Sequence, residues 1–250
     1  MIHMFYMNLS GGCSYEQSLA LYGILPEERK AGVKKALNAS VAKKRLYTGA
    51  FLQYVLSRET GISMDKICYR YGEQGKPELD YPEILGKTES GKAKKVPVAY
   101  FNLSHSGKYA VLAVSDRPVG IDIEHKKKNY LAVAKRCFCE NEYTDIISAG
   151  EREEQEKCFL EYWTMKEAFI KHSGEGLRIP LNSFRILREE SGTACVEGLD
   201  RWFAVCFMED ADYCVSVCSD SLPDVETVLR VGGRMTRLEM DELFTQIKEL

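Results

Sequence analysis

Gly120-Ile121-Asp122-Ile123-Glu124 and Trp163-Thr164-Met165-Lys166-Glu167-Ala168-Phe169-Ile170-Lys171 decide how this chain is read. In the first stretch apolar and polar residues alternate with period two, the pattern of a strand with two unlike faces. Asp122 and Glu124 therefore share a face, roughly 6.6 Å apart along the strand. The second stretch is apolar almost all round a helix, yet Glu167 and Lys171 stand in it one turn apart. At helical spacing Cys158, Tyr162, Met165 and Phe169 form one apolar stripe. Phe159, Leu160, Trp163 and Ile170 form another, with Glu167 inside it. An isolated carboxylate among aromatics is neutralised or expelled, because desolvating its charge is costly. A cation or a lysine has to compensate it, and Lys171 follows in the favourable Glu-before-Lys order.

A hard divalent cation such as Mg2+ takes a few carboxylate oxygens and leaves its other positions to water and phosphate. Asp122, Glu124 and Glu167 supply that number. The competing reading is an intrahelical ion pair at a partly exposed edge, beside a strand whose acids face water. Taken together, the two stretches favour a metal site and chemistry on a phosphate.

With 250 residues the chain has room for one large domain or two small ones, each with a core of its own. Its 45% hydrophobic and 28% charged residues are ordinary for a folded soluble protein. The 34 basic and 37 acidic residues leave a net charge of −3, so no global field favours nucleic acid. Nine cysteines are scattered without a Cys-x-x-Cys pair, and the four histidines complete no zinc pattern. Reduced, mostly buried thiols are expected. Met1-Ile2-His3-Met4-Phe5 lacks the basic segment and apolar core of a leader. No apolar run approaches the ~20 residues of a membrane span. A soluble, cytoplasmic protein with no membrane or nucleic-acid partner is expected.

Helical patterning begins at Tyr15 to Leu21 and resumes at Pro26 as one long stretch ending near Gly61, with Leu37, Val41, Thr48, Leu52, Val55 and Leu56 at helical spacing. Residues 72–96 read as a loop rich in Gly, Pro, Lys and Glu, and Ser90 to Lys95 as its basic tip. Strands are expected at Ala99 to Leu103, Tyr109 to Ser115 and Val119 to Glu124, with Asp116-Arg117-Pro118 turning between the last two. Helices follow at Leu131 to Phe138 and from Glu142 to Lys171, interrupted near Gly150. Further strands are expected at Phe184 to Arg188, Trp202 to Met208 and Tyr213 to Cys218. Arg237 to Leu250 reads as a polar amphipathic helix. The order points to an α+β protein of two similar-sized lobes, 1–117 and 118–222, with a tail at 223–250. No sequence repeat relates the lobes.

Two weaker signals flank the acids. Phe101-Asn102-Leu103-Ser104-His105-Ser106-Gly107 reads as a strand ending in a small-residue turn, where serines and exposed backbone amides would cradle a phosphate. Gly75-Lys76-Pro77 places a lysine in a rigid turn, which suits either a phosphate contact or a plain surface turn.

Taken in order, Gly75 to Pro77, Phe101 to Ser106, Gly120 to Glu124 and Trp163 to Lys171 resemble the 4'-phosphopantetheinyl transferases, in their large surfactin-synthetase-activating type. The resemblance runs from about residue 26 to about 218, and includes Arg136-Cys137-Phe138 and Glu142-Tyr143. It implies two pseudo-symmetric α+β lobes in one monomer, with coenzyme A in the cleft between them. It implies transfer of the phosphopantetheine arm from coenzyme A to a serine of an apo acyl or peptidyl carrier protein, releasing adenosine 3',5'-bisphosphate. Asp122, Glu124 and Glu167 would hold Mg2+, Glu167 would also deprotonate the serine, directly or through a water, and Lys171 would neutralise or protonate the leaving phosphate. By the same similarity Ser104, His105 and Lys76 would contact the phosphates together with Asp122 and Lys171, and Lys76-Pro77 would lie beside the adenine. Arg45 matches the family's basic residue in the next helix. The chain departs from the pattern at Glu28 and Ala31, where relatives offer two lysines to the 3'-phosphate. Arg29, Lys30 and Lys34 are the candidates to replace them. Two other readings remain at this point: an Mg-dependent phosphoester hydrolase using His105, and a non-catalytic coenzyme A or nucleotide sensor. Lys126-Lys127-Lys128, just after the acidic strand, is the expected contact for an acidic carrier.

Overall fold

The computed structural model describes residues 1–80, 84–87, 93–96, 99–126, 128–188, 194–220 and 235–248. The first lobe runs β1 (Ile2–Asn8), α1 (Tyr15–Gly23), α2 (Glu27–Lys34), α3 (Ala39–Thr60), β2 (Tyr69–Tyr71), β3 (Pro77–Leu79), β4 (Ile84–Lys87), β5 (Ala93–Val96), β6 (Tyr100–Ser106) and β7 (Tyr109–Ser115). The second runs β8 (Val119–His125), α4 (Tyr130–Cys137), α5 (Glu140–Ser148), α6 (Arg152–Ser173), β9 (Ile186–Arg188), β10 (Ala194–Val196), β11 (Trp202–Phe207) and β12 (Tyr213–Ser219). Then come β13 (Met235–Leu238) and α7 (Met240–Lys248).

The lobes repeat one plan that their sequences conceal. Each opens on a strand, passes through two short helices and a 22-residue helix, and closes on a hairpin whose second strand pairs antiparallel with the opening one. The spatial orders β1-β7-β6 and β8-β12-β11 correspond strand for strand. Both long helices stop at a left-handed glycine, Gly61 at φ 72° and Gly174 at φ 75°. A side chain there would be strained, so glycine is the natural stop.

Strand alternation sorts three cores. Phe5, Met7, Leu112 and Val114 face α3, while Cys214, Cys218 and Phe203 face α6. The opposite faces, with Ile2, Met4, Val111, Ala113, Ile121, Ile123, Val215 and Val217, close on one another between the sheets. Each such valine, isoleucine or methionine side chain contributes about 1.5–3 kcal/mol when fully buried, so the lobes are joined by a core of their own.

Several elements differ from expectation. The helix expected from Pro26 breaks at 35–38, where Asn38 caps α3 by accepting from the Val41 amide at 3.0 Å. Leu37, placed on the apolar stripe by its spacing, lies in this break and is 94% exposed. β1 escapes notice because it is buried on both faces and does not alternate cleanly. Part of the 72–96 stretch forms β3, β4 and β5, so Ala93 to Lys95 belong to a strand; Ser90 to Lys92 lie outside the described residues. The tail is a strand and a helix, not a helix alone. β13 pairs parallel with β1, and Leu238, Leu243 and Phe244 are buried in the first lobe's core. Residues 221–234 and 249–250 lie outside the described residues.

Candidate active site

β6 and β8 lie side by side where the two lobes meet, joined by side chains instead of a ladder. Asn102 Oδ1 accepts from the Ile121 amide at 2.8 Å. Ser104 Oγ donates to Asp122 Oδ1 at 2.9 Å, and Ser106 Oγ to Glu124 Oε2 at 2.9 Å. On its other side β8 meets α6 backbone to backbone at Gly120. A Cβ on Gly120 would stand 2.0 Å from the Ala168 carbonyl oxygen and 2.5 Å from the His172 nitrogen. Only glycine allows this approach, and it brings the two acids of the strand against the helix.

The contacts along α6 follow its four-residue stripe. Trp163 Nε1 donates to Glu124 Oε1 at 3.3 Å. Lys171 Nζ reaches Asp122 Oδ1 at 2.6 Å and Ser104 Oγ at 2.8 Å. Glu167, half-buried, stands one turn from each on the same stripe. Asp122 is buried, and its other oxygen, Oδ2, has no hydrogen-bond partner among the described residues. Burial pushes the Asp122 carboxyl above the usual carboxylate range, against the pull of the Lys171 ammonium. An orphaned carboxylate oxygen beside two further acids fits a hard cation. As the side chains stand, no three acidic, histidine or cysteine groups among the described residues converge on one point, and Lys171 holds the near side of Asp122.

The other expected residues are distributed differently. Ser104 joins the acids through its hydroxyl, but the backbone-amide cradle is not formed. β6 continues through Ser106, pairing Ser104 with Val111, His105 with Ala110 and Ser106 with Tyr109, so the turn begins only at Gly107. Alternation places His105 on the α3 side of the sheet, away from Ser104 and Ser106. Pro77 and Lys76 line a cleft of about 400 Å³ with Tyr100, Phe101, Pro118, His172 and Gly174. The Lys76 ammonium, expected at a phosphate, donates to backbone carbonyls of the second lobe, and burial lowers its pKa. Arg45 is exposed on α3 and donates to the Gly32 carbonyl. Of the expected carrier-contact lysines, Lys126 is paired with Asp212 at 2.9 Å, Lys128 is exposed, and Lys127 lies outside the described residues.

Sequence reading missed the role of Lys166. Its side chain is fully buried and paired with Glu142 at 2.9 Å. It also donates to the carbonyls of Leu181 and Phe184, each at 2.7 Å. Glu142 in turn accepts from the Ile186 amide at 2.8 Å and the Cys139 amide at 3.0 Å. The available signal was a lysine in a helix with no polar face. All nine cysteines are free, but only Cys158, Cys214 and Cys218 are buried, fewer than expected. Among the described residues no helix is long and apolar enough to cross a membrane.

Asp122, Lys171 and Ser104 joined on one wall, beside a cleft between twin lobes, make an arrangement suited to group transfer under charge neutralisation. Comparison with known proteins gives this class its family. Residues 118–218 match the model of the 4'-phosphopantetheinyl transferase superfamily, and residues 13–117 that of the 4'-phosphopantetheinyl transferase N-terminal region. The 4'-phosphopantetheinyl transferase Sfp of Bacillus subtilis (strain 168) is 30% identical over 210 residues, covering 82% of this chain and 87% of its own. The psf-1 enzyme of Bacillus pumilus is 33% identical over 196 residues, 77% of each chain. The L-aminoadipate-semialdehyde dehydrogenase-phosphopantetheinyl transferase of Mus musculus is 31% identical over 170 residues, 65% of this chain and 52% of its own. The solved holo-[acyl-carrier-protein] synthase of Thermotoga maritima overlays only in part, with TM-score 0.34 and 19% identity over 40% of this chain and 61% of its own. The chain belongs to the 4'-phosphopantetheinyl transferase superfamily.

Proposed function

We propose that this chain transfers the 4'-phosphopantetheine arm of coenzyme A to a serine of an apo acyl or peptidyl carrier domain, acting in the cytoplasm as a monomer. The observation that carries the reading is the Asp122–Lys171–Ser104 cluster with its orphaned Asp122 Oδ2, on a wall shared with Glu124 and Glu167. Family membership supports the reaction, and two lobes in one chain support a cleft complete within the monomer.

In this reading Asp122, Glu124 and Glu167 would hold Mg2+. The ion, when bound, supplies positive charge to the pyrophosphate. Glu167 takes the proton of the carrier serine, whose oxygen forms a bond to the β-phosphorus of coenzyme A. The bond from that phosphorus to the bridging oxygen breaks, and adenosine 3',5'-bisphosphate departs with the electron pair. Lys171, held between Asp122 and Ser104, neutralises the charge that develops there or protonates it. Ser104 on the wall of the acids, His105 and Arg45 on the α3 side, and Pro77 with the stem of Lys76 at the cleft would complete the co-substrate's surroundings.

The test is incubation with coenzyme A, Mg2+ and a panel of apo carriers, read by mass spectrometry of the carrier. Wild type should add one phosphopantetheine. Asp122→Asn and Glu167→Gln should each lose at least ~10²-fold in turnover, the scale for removing one charge-stabilising group. Coenzyme A cleavage with an unmodified carrier would make the chain a hydrolase, and no turnover with any carrier would make it a sensor.

A further inference from the structure

The loop before β3 sends one side chain from the first lobe into the second. Lys76 Nζ donates to the carbonyl oxygens of Lys171 at 2.5 Å, His172 at 3.2 Å and Val119 at 3.4 Å. The last carbonyls of a helix lack partners within it. In α6 that of Ile170 is taken by the Gly174 amide at 3.1 Å and the Ser173 hydroxyl at 2.9 Å. Those of Lys171 and His172 are the ones Lys76 fills, and a positive charge there also suits the helix dipole. Val119 opens β8, the strand of Asp122 and Glu124. One ammonium thus ties the start of the acidic strand to the end of the helix bearing Glu167 and Lys171.

The surroundings are shaped for this reach. Gly75 turns the loop at φ 77°, its amide donating to the Gly72 carbonyl at 2.8 Å, while the Gly72 amide holds the Lys76 carbonyl at 3.0 Å. The stem passes over Gly174, where a Cβ would lie 3.5 Å from Lys76 Cδ. An ammonium has three N–H groups and no acceptor. Three carbonyls face it, which leaves no donor for a phosphate.

We propose that Lys76 is a positioning residue, an interlobe clasp that fixes the end of α6 and with it Lys171, and not a phosphate ligand. The kinetic consequence rests on the transfer reading; the clasp itself does not. The experiment compares wild type with Lys76→Met, which keeps the stem and removes the donors. Hydrogen exchange at the amides of residues 168–174 should accelerate at least tenfold, with α3 unchanged. In the carrier assay kcat should fall at least tenfold, while KM for coenzyme A stays within about threefold. Lys76→Arg, with charge, reach and donors retained, should recover the exchange protection and most of the turnover. If Lys76→Met fails to fold, Lys76→Gln takes its place with the same readouts. A KM for coenzyme A raised tenfold or more, at unchanged kcat and unchanged exchange, would overturn the proposal in favour of a phosphate contact. Should wild type modify no carrier, the transfer reading falls and hydrogen exchange alone decides the clasp.

Discussion

Lys171 shows how a side chain's partners predict its kinetic signature. Its ammonium lies between Asp122 and Ser104, inside the wall, and is 27% exposed. On the proposed transfer reading, a group held there meets charge as the leaving phosphate develops it, more than charge already present in bound coenzyme A. Lys171→Ala should therefore lower kcat by about 10²-fold and move KM for coenzyme A by no more than about threefold. Steady-state kinetics against coenzyme A at saturating carrier checks it; a rise in KM alone would make Lys171 a binding residue. The acids and this lysine were legible because each interrupts an apolar pattern. The destination of Lys76 was not, since its acceptors are backbone carbonyls up to 96 residues away, and carbonyls carry no residue signature. The backbone-amide cradle expected around His105 is absent for a simpler reason. The strand runs three residues beyond the expected end at Leu103, and alternation then turns the imidazole to the other face.

Two features of the long second-lobe helix carry the site as an element. Lys166 and Glu142 form a fully buried pair whose remaining hydrogen bonds reach Cys139, Leu181, Phe184 and Ile186. Removing one partner of such a pair leaves the other charge uncompensated. Lys166→Met should lower stability by about 3 kcal/mol, measured by urea unfolding, although it touches neither acid of the strand. At Gly120 a methyl group would meet backbone atoms, which cannot swing aside as a side chain can. Gly120→Ala should therefore force strand and helix apart, destabilising by about 3 kcal/mol, the upper range for overpacking. Turnover should fall further than stability explains, because Asp122 and Lys171 lie on the two separated elements; normal turnover in a folded Gly120→Ala protein would refute the close-approach argument. Helix periodicity made α6 readable, whereas the break at 35–38 was hidden by Lys35, Ala36 and Leu37, three good helix formers with Leu37 at helical spacing.

At the scale of the molecule, three stacked cores join the twin lobes. The middle core is built from the opposite faces of strands whose other faces meet α3 and α6, so neither lobe can part from the other without exposing it. This duplicated plan was invisible in the sequence because it is conserved in strand order, which long-range pairing sets, and not in residue identity. The tail illustrates the same limit: the four residues of β13 become a strand only by pairing parallel with β1, across most of the chain. That return has an energetic consequence. β13 extends the first sheet past β1, and α7 lays Leu243 and Phe244 into the core against α1 and α3. Phe244 is 7% exposed, so truncating it removes most of an aromatic side chain from a packed interior. Phe244→Ala should cost about 3 kcal/mol, the lower end for such a deletion, because the tail can settle partly into the space. Since Phe244 lies in the α3 core and not in the α6 core, unfolding should begin in the first lobe. Hydrogen exchange should show α3 amides losing protection before those of α6. A Phe244→Ala protein with unchanged urea midpoint would mean that the tail covers the first lobe without stabilising it.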